Sequence, residues 1–343
     1  MPDRVVLEGV DRYRTMDPNY EAARIVVAHR GETYSPDYIQ GISGAAFRIA
    51  GPCPCAPTCS AAMDTPALVR LLGYEVETGS LHGQGEARKA SWAPIVDRIK
   101  TEIRAGRPVI VWNAFTNYEW DLVLGFDDEK GEWIGRGSYV GNEQPASAPQ
   151  MRPLEGSDVT DTLALFIGGK TGVLDARAAE LAALEEAIHH AHSPHDPFLA
   201  ELSDRPIPWR FREGLACYQA WIHSFRVEPT KVPGAGDRYP LGVYRSTHRA
   251  AAGFLRELAP KHLAAAPHFE RAAELFAADA DALDECTDKL CGGWEGWQEP
   301  DPAKAARMAE LLARAHRSYK SGIKEIERGL AGAAGTGTPR AEQ

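Results

Sequence analysis

The hydrophobic pattern of this chain changes near residue 175, and this change constrains the fold more than any other feature. Four short segments rich in β-branched and aromatic residues come before it: "RPVIVWNAF", "EWDLVLGFDD", "EWIGRGSYV" and "DTLALFIGG". After it, apolar residues recur at helical spacing almost to the end of the chain. Strands in succession, followed by helices, predict an α+β fold and not a doubly wound parallel sheet.

Helices are also predicted ahead of the strands. Ser35 is a candidate N-cap of a helix in which Pro36 takes the first position and apolar residues recur at helical spacing as far as Ile49. Asp64 or Thr65 caps a second helix, and "WAPIVDRIKTEIRAG" is an amphipathic third. The apolar run at residues 25–28 fits a strand or the end of a helix. We therefore expect helices packed on an antiparallel sheet.

The length of 343 residues is comfortable for two domains. We predict a polar lead-in at residues 1–19 and an α+β domain at residues 20–172. A bundle of five or six helices follows at residues 173–332. The Gly- and Ala-containing tail at residues 333–343 is expected to be disordered.

The charge and the apolar content disfavour several classes of partner. The formal net charge is −10, and lysine and arginine are spread along the chain without a basic stripe for nucleic acid. No apolar run approaches the ~20 residues that span a bilayer, and the N-terminus lacks the hydrophobic region of a signal peptide. We therefore predict a cytoplasmic protein without nucleic-acid or membrane partners. Neither GxGxxG nor GxxxxGK(S/T) occurs, which disfavours dinucleotide or P-loop binding, and no cofactor is predicted.

The order of these segments resembles a known fold. The chain resembles the papain-like fold of bacterial cysteine peptidases, especially those that process bacteriocin leaders. The resemblance lies in the order of its segments: a helix start, a crossover, "RPVIVW", a strand that ends "LVLGFDD", and then "GEWIG". The whole chain is more similar to the butirosin-biosynthesis-protein-H N-terminal-like group, a branch of that fold with a helical C-terminal part. The segment "GLACYQAWIHSF" resembles the recurring Gly-x-x-Ala-Tyr-x-x-Trp helix of that group through Gly214, Cys217, Tyr218 and Trp221. The resemblance covers residues 20–330.

Several positions depart from the catalytic pattern that the resemblance implies. The family carries a Cys nucleophile at a helix start, and "SGAAF" puts Ser43 at that position. Glu119 stands where the family has the His that opens a strand, and residues 135–137 offer Gly, Arg or Gly where an Asp is expected. The Gln that supports the oxyanion is replaced by Asp37, and Gln40 is the nearest amide. A serine–glutamate pair cannot easily replace a cysteine–histidine pair, because a serine hydroxyl is far more basic than a carboxylate.

The resemblance therefore implies a cysteine-peptidase-like protein that has lost peptidase activity. We expect it to bind a small molecule or an acyl group in the inherited cleft. Because the butirosin protein transfers an acyl group from a carrier-protein thioester, the resemblance allows acyl transfer, and an amide-hydrolase-like reaction is the other enzymatic interpretation. Two alternatives stay open: a non-catalytic interaction protein that forms a homodimer through its helical bundle, and a redox or metal sensor that uses thiols.

Two carboxylates stand out in the second predicted strand. Glu119 and Asp121 occupy alternating positions and therefore lie on the same face. They could be an acid/base pair or a cation site, or they could belong to the solvated face of an edge strand. The candidate catalytic residues are Ser43, Glu119 and Asp121. The candidate binding residues are Gln40, Cys53, Cys55, Cys59, Trp112, Asn113 and Trp120.

Three of the six cysteines lie in "GPCPCAPTCS", as Cys53, Cys55 and Cys59. Zinc sites usually carry paired CxxC ligands, so the CxCxxxC spacing does not predict a metal site, and no metal ligands are predicted. A reversible disulfide and a catalytic thiol are conceivable. A proline-stiffened loop with partly buried thiols is the simplest interpretation.

Four histidines lie together in "AIHHAHSPH", at the end of a predicted helix. They are His189, His190, His192 and His195. A metal site there would need carboxylates nearby. Positive charge at a helix C-terminus also suits the helix dipole, and this interpretation needs no ligand.

Overall fold

The structure is a computed structural model that describes residues 3–16, 18–51, 64–138, 146–158, 160–193, 212–293 and 295–335. In chain order, the strands are β1 (Arg4–Val6), β2 (Ala50–Gly51), β3 (Tyr74–Ser80), β4 (Val109–Trp112), β5 (Trp120–Asp127), β6 (Glu132–Arg136), β7 (Ala146–Pro149), β8 (Thr162–Lys170) and β9 (Arg212–Glu213). The helices are α1 (Pro18–His29), α2 (Pro36–Ile42), α3 (Thr65–Leu71), α4 (Gly85–Ala90), α5 (Trp92–Arg104), α6 (Ala176–His192), α7 (Gly214–Val227), α8 (Ala235–Leu258), α9 (Ala266–Asp284) and α10 (Pro302–Gly335). The predicted α+β class is confirmed.

Two compact units divide the chain. The first comprises Met1–Ile39 and Asp64–Asp175, and the second comprises Gln40–Met63 and Ala176–Gln343. The later division lies close to the predicted boundary after residue 172. The earlier division falls inside α2, so the second unit takes a segment that the sequence assigns to the α+β domain.

The described part of the first unit contains an antiparallel sheet of seven strands in the order β3-β8-β4-β5-β6-β7, with β1 paired to β5. β5 is an interior strand, since it pairs with both β4 and β6. β1 comes from the predicted polar lead-in, where Val5 pairs with Phe126. A strand of three residues is too short for an alternating pattern to reveal it.

Helices α1 and α5 pack against this sheet. α5 has the predicted amphipathic pattern, because Trp92, Ile99 and Ile103 are fully buried in the core beneath it. In α1, residues 25–27 are all fully buried. A helix that is apolar in consecutive positions shows no clear helical period, and this explains why the sequence leaves the run at residues 25–28 ambiguous.

α2 begins as predicted and ends early. The Tyr38 amide donates to the Ser35 hydroxyl oxygen at 2.9 Å, which is the predicted N-cap interaction. The helix ends at Ile42 and does not continue to Ile49. Gly44 adopts φ 77°, a left-handed conformation that glycine adopts readily, and redirects the chain into a 3₁₀ turn.

Helices α6 to α10 form most of the described part of the second unit, in agreement with the predicted bundle. α9 packs along α8 and α10, and α10 also contacts α6 and α7. Residues 47–51 lie among these helices: Phe47 ends the 3₁₀ turn, and the chain continues in extended form to β2, which pairs with β9. Phe47, Ile49 and Ala50 are at most 1% exposed. Their contacts explain why this part of the chain belongs to the helical unit.

Candidate functional site

The loop between β4 and β5 carries several of the predicted site residues. The Asn113 amide donates to the Glu119 carbonyl at 2.7 Å, and the Asn113 side-chain oxygen accepts from the Tyr118 amide at 2.9 Å. Asn113 and Tyr118 have φ of 55° and 56°. This left-handed conformation is uncommon outside glycine, and a tyrosine adopts it where its surroundings impose it. The loop therefore has a defined geometry with some backbone strain.

Asp121 holds this loop from the adjoining strand. Its Oδ2 atom accepts from the backbone amides of Phe115 and Thr116 at 2.6 and 2.7 Å. Asp121 is fully buried, and this burial raises the pKa of its carboxyl to about 7, although the amide donors lower it. A pKa of about 7 suits a general acid or base at neutral pH.

Tyr13 lies close to Asp121 and to two further carboxylates. The Tyr13 hydroxyl donates to the Trp120 carbonyl at 2.9 Å. Burial raises the pKa of Tyr13 well above its usual value, and the negative charges of Asp121, Glu21 and Glu119 raise it further. None of these four residues is more than 4% exposed. We call Tyr13, Glu21, Glu119 and Asp121 the Tyr13 cluster.

Glu21 enters the cluster from the first turn of α1. Its Oε1 atom accepts from Arg24 Nη2 and from the Arg14 amide, both at 2.8 Å. Burial raises the pKa of Glu21, whereas the interaction with Arg24 lowers it. Arg24 also donates to Asp11 at 2.9 Å. A buried guanidinium thus offsets the charge of Glu21, while Asp121 is held by neutral backbone amides.

Three of the predicted binding residues pack beside the same loop. Trp112 Nε1 donates to the Gly156 carbonyl at 2.9 Å, and the Asn113 side-chain amide donates to the Arg152 carbonyl at 3.0 Å. The ring centroids of Trp112 and Trp120 lie 5.4 Å apart in an edge-to-face arrangement. Trp112 and Asn113 thus fix the neighbouring 3₁₀ turn at Arg152–Gly156.

The interior position of β5 removes one interpretation of Glu119 and Asp121. The strand pairs on both sides, and both residues are buried. They therefore do not lie on the solvated face of an edge strand. Their burial is what gives Asp121 a pKa suited to acid/base chemistry.

Ser43 and Gln40 belong to the second unit. The Ser43 hydroxyl donates to the Gln40 carbonyl at 3.0 Å, and its oxygen accepts from the Ala45 amide at 3.4 Å. The expectation that Ser43 lies at a helix N-terminus is wrong, because α2 ends at Ile42 and Ser43 follows its C-terminal end. The helix dipole at that end does not favour an anion.

The helix that begins beside the Tyr13 cluster is α1; the sequence leaves residues 25–28 open as a strand or the end of a helix and does not identify the start of this helix. The segment "DPNYEAAR" carries a signal for it, because Pro18 takes the first position and Glu21 lies in the first turn. Sequence reasoning also misses Thr116 and Ser138. The Ser138 amide donates to Thr116 Oγ1 at 3.2 Å, and both residues are buried. Each follows a strand in a loop, where no periodic pattern indicates burial.

The histidines at the end of α6 differ from one another. His190 is buried, and its Nε2 atom accepts from the Ile49 amide at 3.0 Å. Burial lowers the pKa of His190 to about 3, so it stays neutral and does not contribute positive charge to the helix end. His192 is more exposed, and its Nε2 atom lies 3.0 Å from Glu327.

The described cysteines lie in the helical unit. Cys217, Cys286 and Cys291 are free and buried, and burial raises the pKa of each thiol. Within the ranges that the structure describes, no group of three or more His, Cys, Asp or Glu is arranged to hold a metal ion. Four of the residues considered in the sequence lie outside those ranges: Cys53, Cys55, Cys59 and His195.

Comparison with known proteins gives no match to a protein-family model and no match to a curated protein. In the described part of the chain, no helix is both long enough and apolar enough to cross a membrane.

Proposed function

We propose that the first unit is a papain-like domain that has lost peptidase activity and that binds a small molecule or an acyl group at the Tyr13 cluster. The observation that carries this proposal is Asp121, a fully buried carboxyl with a pKa of about 7. Such a group can give or take a proton at neutral pH. Buried groups with strongly shifted pKa values are concentrated at functional sites. Carboxylate oxygens suit a ligand that offers amine, amide or hydroxyl hydrogens.

The residue types of the first unit support the loss of peptidase activity. Its sequence ranges contain no cysteine and two histidines, His29 and His82. His29 Nε2 lies 3.2 Å from the Gly106 carbonyl, and His82 is exposed. A cysteine peptidase needs an imidazole that holds a thiolate. These ranges supply no thiol for such a pair.

The position of the carboxylates supports the papain-like assignment. α1 packs against β4 and β5, and it carries Glu21 in its first turn. Glu119 directly precedes β5. In the papain-like peptidases that the chain resembles, a helix start supplies the nucleophile and a strand start supplies the base. The resemblance puts Ser43 at the nucleophile position, but Ser43 follows the end of α2. In this proposal α1 therefore replaces that segment as the counterpart of the nucleophile helix, with carboxylates at both positions.

Acyl transfer is the reaction that these groups support best. An ionised carboxylate can take the proton of an amine or hydroxyl group on the acceptor as that group attacks an acyl carbonyl. The protonated carboxyl can then deliver the proton to the leaving thiolate. A pKa of about 7 allows Asp121 to perform both steps at the same pH. In this proposal Asp121 is the proton carrier, and Glu119 and Tyr13 complete the polar surroundings.

Thermal unfolding of the full chain with a panel of short-chain acyl thioesters and primary amines tests this proposal. We expect at least one probe to raise the Tm of the wild-type protein by about 2–5 °C at pH 7. Asp121→Asn keeps the size of the side chain but removes proton exchange, and we expect it to lose the acyl-transfer product detected by mass spectrometry.

The matched control is Asp97→Asn, which changes an exposed carboxylate on α5 of the same unit. We expect this variant to keep both the shift in Tm and the product. Product formation by Asp121→Asn at the wild-type rate would contradict the proposal. So would cleavage of peptides by the wild-type protein, or a panel in which no probe changes Tm.

A further inference from the structure

An open groove runs between α7 and α10 in the second unit. Its volume is about 420 Å³, which lies in the range of small-molecule sites. Ile222 and Ala313 contribute apolar surface. The polar side chains that line it are Gln219, His223 and Arg226 from α7, and His316 and Arg317 from α10. This composition differs from the Tyr13 cluster, where the charged groups are mostly carboxylates.

The groove concentrates positive charge in a chain whose formal net charge is −10. Arg226 and Arg317 are exposed, and neither forms an ion pair with a carboxylate among the described residues. Burial lowers the pKa of His316, and the positive charges of Lys320 and Arg317 lower it further. Two guanidinium groups thus line the groove without an ion-pair partner among the described residues.

Two acidic side chains of the same unit interact with residues that do not line the groove. Glu310 lines the adjoining hollow with Arg226, but its Oε2 atom lies 3.0 Å from Arg307. The negative charge of Asp279 raises the pKa of His316. However, the Asp279 side chain is fully buried and forms a hydrogen bond with His248 Nδ1. Neither carboxylate therefore neutralises the guanidinium groups in the groove.

His316 adds a polar atom that needs a partner. Its Nε2 atom is buried and has no hydrogen-bond partner in the described part of the chain. Leaving a buried polar atom unpaired is unfavourable. His316 therefore brings an unpaired polar atom to the wall of the groove.

We propose that the groove binds a small molecule that carries a di- or triphosphate group. The guanidinium groups of Arg226 and Arg317 bind phosphate oxygens, because their planar donors match the spacing of those oxygens. The neutral imidazole ring of His223, which also lines the groove, has one N–H group that can donate a further hydrogen bond. A group with several negative charges suits this set of cations better than a single carboxylate does.

Isothermal titration calorimetry of the full chain with inorganic pyrophosphate tests this proposal. We expect the affinity for pyrophosphate to fall by about tenfold in Arg226→Gln and in Arg317→Gln, since each variant removes charge-assisted hydrogen bonds. Both arginines are exposed, so the variants should retain the circular dichroism spectrum of the wild type.

The matched control is Arg256→Gln, which removes an exposed arginine of α8 that does not line the groove. We expect it to bind pyrophosphate like the wild type. The proposal is overturned if the double variant of Arg226 and Arg317 binds as tightly as the wild type, or if Arg256→Gln loses as much affinity. Equal affinity for acetate and pyrophosphate overturns the assignment to a phosphate.

Discussion

At the scale of single residues, Asp121 illustrates how burial can outweigh favourable hydrogen bonds. Two backbone amides stabilise its ionised form, but removal from water penalises that form more. In the unfolded chain the carboxyl ionises near its ordinary pKa of 3.8, whereas in the folded protein it holds its proton to about pH 7. Its contribution to stability is therefore complete below pH 4 and is lost as the pH rises to 7.

The contribution of His190 to stability depends on pH in the opposite direction. Its ring accepts a hydrogen bond from Ile49, and burial lowers its pKa from 6.5 to about 3. The folded state therefore resists protonation, and the stability contributed by neutral His190 is present above pH 6.5 and is lost as the pH falls toward 3. We predict that His190→Gln, whose side-chain oxygen can accept the same hydrogen bond, reduces the loss of unfolding free energy between pH 7 and pH 4 by about 3 kcal/mol.

Urea unfolding at the two pH values measures this difference. His192→Gln is the matched control, because His192 lies two positions further along and is more exposed. We expect the control to keep the acid sensitivity of the wild type. Parallel pH dependence in His190→Gln and the wild type would show that His190 does not set the acid response.

The sequence locates some of these residues but does not reveal their environment. Alternation along one strand places Glu119 and Asp121 on the same face. Their burial depends on tertiary structure: Asp121 pairs with Val111 of β4, and β6 covers the other edge of β5 from Leu122 onward. Tyr13 and Glu21 join the site only through tertiary contacts, so a local pattern could not identify them.

At the scale of elements, the extended segment at residues 47–50 obtains hydrogen bonds from the surrounding helical unit. A buried backbone must satisfy its polar groups, and here helix side chains and one helix-start amide do so. The Phe47 carbonyl accepts from Tyr319 at 2.8 Å, the Arg48 carbonyl from His248 at 3.1 Å, the Ile49 carbonyl from the Gly214 amide at 2.9 Å, and the Ala50 carbonyl from Tyr244 at 2.7 Å.

The Tyr244 hydroxyl forms hydrogen bonds with two backbone groups, because it also accepts from the Ala50 amide at 2.9 Å. Tyr319 serves one carbonyl. We predict that Tyr244→Phe lowers the free energy of unfolding by about 2–4 kcal/mol, and Tyr319→Phe by about 1–2 kcal/mol, since each buried group left unpaired has its own cost. Urea unfolding of the two variants measures the order, and a larger loss in Tyr319→Phe would contradict this account.

The sequence predicts the start of a helix where an N-cap residue marks it, but it does not predict where α2 ends. The N-caps at Ser35 and Asp64 are both found, with the Ala67 amide donating to Asp64 at 2.8 Å. The end of α2 is missed, because the apolar residues up to Ile49 keep a helical spacing after Gly44 has already ended the helix. Local spacing cannot distinguish a helix from an extended segment buried on several sides.

At the scale of the whole molecule, the division into two units is partly encoded in local patterns. The change of periodicity near residue 175 falls between the strands of the seven-stranded sheet and helices α6 to α10, and the short strand β9 lies among those helices. The assignment of Gln40–Met63 to the second unit depends on contacts between residues far apart in the chain, which periodicity does not record. The homodimer and the thiol-based sensor stay predictions of the sequence.

Whether Asp121 exchanges its proton near neutral pH decides the proposed function. A pH titration of the full chain with ¹³C-labelled aspartate carboxyl groups, followed by NMR, measures this directly, and Asp121→Asn assigns the resonance. We predict a midpoint of about 7 for Asp121. A midpoint below about 5, close to that of an exposed aspartate, would contradict the proposed role of Asp121 as a proton carrier.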